Sequence, residues 1–122
     1  MATKEEIAAA AKAKFLTVDV EIAPGLTVTL RELTTVEKRV LDLRLWQAGP
    51  DGELLVKPEN GKDMLVPVVG VHHREEWLAA TMTPAFTVEE LLAGWPEPLK
   101  LDLYRQAAKI NGANLADAVG NS

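Results

Sequence analysis

The chain contains no cysteine. That removes disulfides, thiolate metal sites and thiol nucleophiles together, and nothing points to an oxidising compartment. Basic residues are in deficit, with 13 lysines and arginines against 18 aspartates and glutamates and a formal net charge of -5. This sign repels phosphate backbones and anionic headgroups, so no nucleic acid and no membrane is expected as a partner. Long apolar runs are missing as well: Met1 to Phe15 mixes Glu5 and Glu6 with lysines and has no stretch resembling a signal or a membrane span. Cytosol is the expected compartment. Glycine-rich phosphate loops, glycine-flanked serines and paired-carboxylate motifs are absent too, so neither an enzyme nor a cofactor is expected.

What is present is the make-up of one folded domain. At 122 residues, with 48% hydrophobic and 25% charged side chains, the chain can bury a core without covalent staples. Thr3-Lys4-Glu5-Glu6 has the spacing of a helix capping box, and alanine-rich sequence follows it. Residues 1–14 therefore read as a helical or frayed arm. Leu16, Val18, Val20 and Ile22 alternate with polar residues, as do Leu26, Val28 and Leu30 after Ala23-Pro24-Gly25. The pattern predicts a β-hairpin over 16–31, with Val18 facing Leu30, Val20 facing Val28 and Ile22 facing Leu26 across a three-residue loop.

Thr34 with Glu37 and Thr87 with Glu90 repeat the capping-box spacing. Helices are expected at about 35–47, 71–82, 88–95 and 99–111, the last one closing on Asn111-Gly112. Residues 49–62 are rich in turn formers around Leu54-Leu55-Val56 and read as a mobile loop, or as a weak hairpin pairing with Met64 to Val69. The fold class is therefore α+β, a hairpin or small antiparallel sheet followed by three to four helices. Residues 15–112 form the single globular domain, and 113–122 a flexible tail of small residues.

Two helices carry apolar residues on both sides. In the first, Val36, Val40 and Leu43 form one stripe, and Leu41 and Leu45, with Trp46 beside them, another; in the last, Leu99, Leu103 and Ile110 oppose Leu101, Tyr104 and Ala108. A domain of this size must either sandwich such helices or leave a strip open to a partner or a second copy. Leu41, Leu45, Trp46, Leu101, Tyr104 and Ala108 are the candidate protein-binding residues. Trp46 and Tyr104 fit core and interface equally, whereas Trp95, on a one-faced helix, reads as core. His72-His73 with Glu75 and Glu76 offers two ligands at helical spacing, which is no metal site, so a solvated or capping role is expected. Asp51, Glu53, Glu59 and Asp63 lack the alternate-position pattern of a calcium loop.

The order of pieces, TVTLRELTTVEKRVLDL, a loop, then EEWLAATMTPAFTVEELLAGWPEPLKLDLYRQAAKINGANLADAVGNS, resembles the small tail assembly chaperones of long-tailed bacteriophages. The likeness runs from Val18 to Ser122. It implies a protein that coats the tape measure protein in the host cytoplasm, keeps it soluble, helps recruit major tail tube subunits, acts as a homo-oligomer and is absent from the mature virion. Members of that family are often made in two lengths, the longer by a ribosomal frameshift near the end of the short frame, and Val119-Gly120-Asn121 can be encoded by codons that contain a slippery run. The competing readings are a structural virion component, such as a head-tail connector or tail completion protein, and a small cytoplasmic adaptor.

Overall fold

A computed structural model describes residues 1–112; the expected tail, 113–122, lies outside the described residues. Helix α1 spans Lys4–Lys12 and opens on the expected box, Thr3 accepting from the Glu6 N–H while the Glu6 carboxylate accepts from the Thr3 N–H. None of its residues is buried.

Strands β1, Thr17–Ala23, and β2, Leu26–Arg31, form the antiparallel hairpin. Val18 faces Leu30 and Val20 faces Val28, as the alternation requires. The tip differs. Ala23, not Ile22, pairs with Leu26, and the register shifts between Glu21 and Ala23. Pro24 and Gly25, the latter at φ 77, form a tight two-residue loop, and the extra residue is taken up as a bulge at Ile22, which is left exposed.

Helix α2 covers Thr35–Leu45, two residues short of the expected end, because Trp46 is extended and leads into strand-like pairing. Residues 45–48 lie between two segments of the following loop: the Gln47 N–H donates to Val66 O, the Val68 N–H to Leu45 O and the Leu55 N–H to Gln47 O. Within that loop β3, Val56–Glu59, pairs with β4, Lys62–Leu65. Of the two expectations for 49–62, the hairpin is what forms. Asn60 and Gly61 both take positive φ, 53 and 79, the requirement of the two-residue turn whose twist matches flanking strands.

Helix α3, His73–Thr81, runs directly into β5, Met82–Thr83, which adds a third strand to the sheet in the order β1-β2-β5. Sequence periodicity missed β5, since two residues carry no alternation. Helix α4 spans Val88–Gly94, with the Thr87 and Glu90 box formed as expected. Helix α5 spans Glu97–Ile110 and starts two residues before the expected Leu99. Pro98 does not delay it, since the first helical turn has no intrahelical acceptor for its N–H groups. Gly112, at φ 71, closes it with the left-handed turn glycine favours.

The core has two compartments. Val28, Leu30, Leu78, Met82, Leu91, Leu103 and Ala107 fill the space between the sheet and α3, α4 and α5. Leu33, Leu41, Leu45, Trp77 and Tyr104 fill the space between α2 and the opposite sides of α3 and α5. α3 and α5 thus form a middle layer covered on both sides. This is why α5 carries two apolar stripes.

Candidate protein-binding surface

The six residues expected to meet a partner are not on one surface. Leu41, Leu45, Tyr104 and Ala108 are buried in their own subunit, Leu45 and Ala108 completely, while Trp46 and Leu101 are half-buried against the same compartment. Packing of α2, α3 and α5 against one another takes Leu41, Leu45, Tyr104 and Ala108 out of a partner's reach, whereas Trp46 and Leu101 keep part of their surface exposed. The Tyr104 hydroxyl is pushed up from its ordinary pKa, chiefly by burial. Trp46 stacks at a tilt on His73, ring centroids 4.9 Å apart.

The free stripe on α2 is the opposite one. Val36, Val40 and Leu43 are 73%, 57% and 42% exposed, and their stripe is centred roughly 150 degrees around the helix from that of Leu41 and Leu45. The helical wheel contained this stripe; what it could not supply was the choice between the two. Area gives the physical reason. Two leucines and an adjoining Trp remove more apolar surface from water than two valines and one leucine, and each buried large side chain stabilises by roughly 1.5–3 kcal/mol.

Beside the free stripe runs a groove of about 380 Å³ between α2 and α3, with Val36, Val40, Leu41, Ala79 and Ala80 among its lining residues. Small residues on the α3 side let another backbone approach closely. Charged rim residues pair off. Arg31 donates two hydrogen bonds to Glu37, 2.9 and 2.7 Å, and Arg44 donates to Glu76 at 3.0 Å. The Arg31 guanidinium, with help from the Thr34 N–H, holds the Glu37 carboxyl down at a pKa of about 2. The groove is therefore apolar along its floor and electrically balanced at its edges.

Two polar arrangements lie elsewhere, and neither was foreseen. Lys100 is 1% exposed, yet its ammonium sits 2.8 Å from both Glu75 and Glu97, and Arg74 reaches Glu97 at 3.1 Å. Bonding first to Glu75 and then to Glu97 raises the Lys100 pKa, and the same contact lowers that of Glu97. Asn111 forms the other: its amide oxygen accepts from the Leu33 N–H at 2.7 Å, and its nitrogen donates to Ala107 O at 2.8 Å and Arg31 O at 3.3 Å. It ties the end of α5 to the β2–α2 junction. The only sequence signal was Asn111 beside Gly112, which marks a helix end and not a long-range tie.

The His72-His73 cluster has structural work. His73 bonds through Nε2 to Leu45 O at 3.0 Å, while Glu75 is held by Lys100 and Glu76 by Arg44. Among the described residues no group of three or more His, Cys, Asp or Glu is placed to hold a metal ion. No described helix is long and apolar enough to cross a membrane. Compared with models of protein families, with curated proteins and with solved structures, the chain matches none.

Proposed function

We propose that this protein is a non-catalytic tail assembly chaperone of a long-tailed bacteriophage, binding the helical tape measure protein in the host cytoplasm. The observation that carries the reading is the outward apolar face of α2, Val36, Val40 and Leu43, beside a groove with alanines on its α3 side. A helix-in-groove contact needs such a face: an apolar strip a few turns long that a client helix covers with its own apolar side. One strip of this size gives weak binding. Many copies along one long client raise the overall affinity without any new contact, since each additional engagement is intramolecular. A net charge of -5 per chain keeps such a row soluble. Sequence resemblance to the chaperone family supports the same reading, including recruitment of tail tube subunits and absence from the finished particle.

Co-expression with the tape measure protein of the same phage tests it. The wild-type chain keeps the client in the soluble fraction, and the triple substitution Val36→Asp, Val40→Asp, Leu43→Asp leaves it in the pellet. An unchanged soluble fraction with the triple variant overturns the assignment of the α2 face. Detection of the chain in purified particles by mass spectrometry overturns the chaperone reading in favour of a virion component.

A further inference from the structure

Two Asn-Gly pairs occur in the chain, Asn60-Gly61 and Asn111-Gly112. Each sets a carboxamide beside a main-chain nitrogen that no following side chain shields, the arrangement in which an asparagine can cyclise and lose ammonia. Local sequence makes the two alike, and the fold makes them unlike.

Asn111-Gly112 is held at both reacting groups. The Asn111 carboxamide, in a residue only 8% exposed, accepts from the Leu33 N–H and donates to Ala107 O and Arg31 O. The Gly112 N–H, which would have to give up its proton, donates to Lys109 O at 3.1 Å. Cyclisation there must first break the tie between α5 and the β2–α2 junction.

Asn60-Gly61 forms the exposed tip of the β3–β4 hairpin. Among the described residues the Gly61 N–H donates to no main-chain carbonyl, and a Cβ placed on Gly61 would meet no atom within 4 Å. The turn itself opposes reaction. At φ 53 Asn60 is left-handed, a conformation that points the Gly61 nitrogen away from the Asn60 side-chain carbon, so ring closure waits for the turn to open. Opening is local: β3 is exposed along its whole length, β3 and β4 form a sheet of their own, and a lone two-stranded hairpin is marginal in water. With its base clipped to residues 45–48, the tip can fray while the rest of the domain stays folded.

We propose that Asn60 is a site of spontaneous deamidation, reached by opening of the β3–β4 turn, and that Asn111 is protected by its tie. The Gly61 nitrogen, having given its proton to hydroxide, attacks Asn60 Cγ; the N–Cγ bond forms, the Cγ–Nδ2 bond breaks, and ammonia leaves with a proton from water. Water then opens the cyclic imide. Cleavage of the bond to Cγ leaves aspartate, whereas cleavage of the bond to the main-chain carbonyl leaves isoaspartate, whose chain runs through Cβ and Cγ. No electron is transferred, and either product takes the formal charge from -5 to -6. Aspartate before Gly61 still suits the two-residue turn, but the extra chain atom of isoaspartate does not, so the Glu59–Lys62 pairing is lost. Deamidation thus turns a reversible opening of the hairpin into a permanent one, in a segment outside the proposed client face on α2.

A time course of the full chain in warm, mildly alkaline buffer, read by peptide mapping with mass spectrometry, tests this in the native state and in guanidinium chloride. In the native chain Asn60 converts and Asn111 lags by about tenfold or more, since it reacts only from a wider opening. In denaturant the two convert within about threefold of each other, because only their shared local chemistry remains. Equal native rates, or a native Asn60 that stays intact while the denatured chain converts, overturns the proposal. Hydrogen exchange on the separated products reads the consequence: the isoaspartate form loses amide protection in β4, and the variant Asn60→Asp keeps it. Protection retained by the isoaspartate form overturns the loss of the turn.

Discussion

Replacing Asn111 by alanine is expected to cost more than its place at a helix end suggests. The side chain is 8% exposed as part of its residue and makes three hydrogen bonds to main-chain groups, one of them spanning 78 positions to Leu33. Ala107 O keeps a second donor, the Asn111 N–H at 3.2 Å, so its loss is small. Leu33 N–H loses its side-chain partner inside the protein, and an unsatisfied buried donor costs about 1–3 kcal/mol. Loosening of α5 from the β2–α2 junction adds about 1 kcal/mol for the remaining bonds. The expected total is about 2–4 kcal/mol, which for a domain of this size lowers Tm by roughly 8–15 °C. Asn111→Asp, equal in size, keeps the acceptor but points a carboxylate at Arg31 O and Ala107 O, so it should also destabilise at neutral pH. Differential scanning calorimetry on the three proteins reads the effect. If Asn111→Ala melts within experimental error of wild type, the tie contributes nothing and the reasoning fails.

The two stripes of α2 should respond oppositely. Leu45→Ala empties a fully buried site and is expected to cost about 2–5 kcal/mol, whereas Val40→Asp on the exposed side changes stability by about 0.5 kcal/mol or less; urea titration distinguishes them, and equal losses would place both stripes in the core. Lys100→Met alone strands the buried Glu75 carboxylate and lowers Tm, while Lys100→Met with Glu75→Leu recovers much of the loss, because a buried ion pair is costlier to break than to replace. A double variant no better than the single one, read by the same calorimetry, refutes this. Glu37 has its folded pKa depressed to about 2 from 4.5, so its contribution is present above pH 4.5 and disappears as pH falls toward 2. With a side chain 41% exposed, solvent screening limits that contribution to about 1 kcal/mol. Glu37→Gln should therefore be less stable than wild type at pH 7 and nearly equal to it near pH 2, and a pH-independent difference counts against the ion pair.

Local signals in the chain were readable wherever the deciding interactions lie within a few residues. Capping boxes at Thr3, Thr34 and Thr87 all form, since a side chain three positions from its backbone partner needs no other part of the protein. Alternation set the pairing of Val18 with Leu30 and Val20 with Val28, and the turn formers Asn60 and Gly61 closed the second hairpin. The hairpin tip was misread by one residue because a bulge just before the Pro24-Gly25 loop leaves the alternation upstream of it intact. Strand β5 was missed because Met82 and Thr83 are extended by their pairing with Leu30 and Thr29, which are remote in sequence.

Helices, hairpins and the existence of two apolar sides on α2 and α5 were all readable along the chain, since periodicity records which side chains share a face. What each side meets follows from the packing of remote elements. α5 lies between the sheet and α2 and loses both of its apolar faces to the interior, whereas α2 is an outer layer and keeps one. The difference is not written in either helix, because burial depends on how many neighbours a layer has, and that number is set by packing across the whole chain.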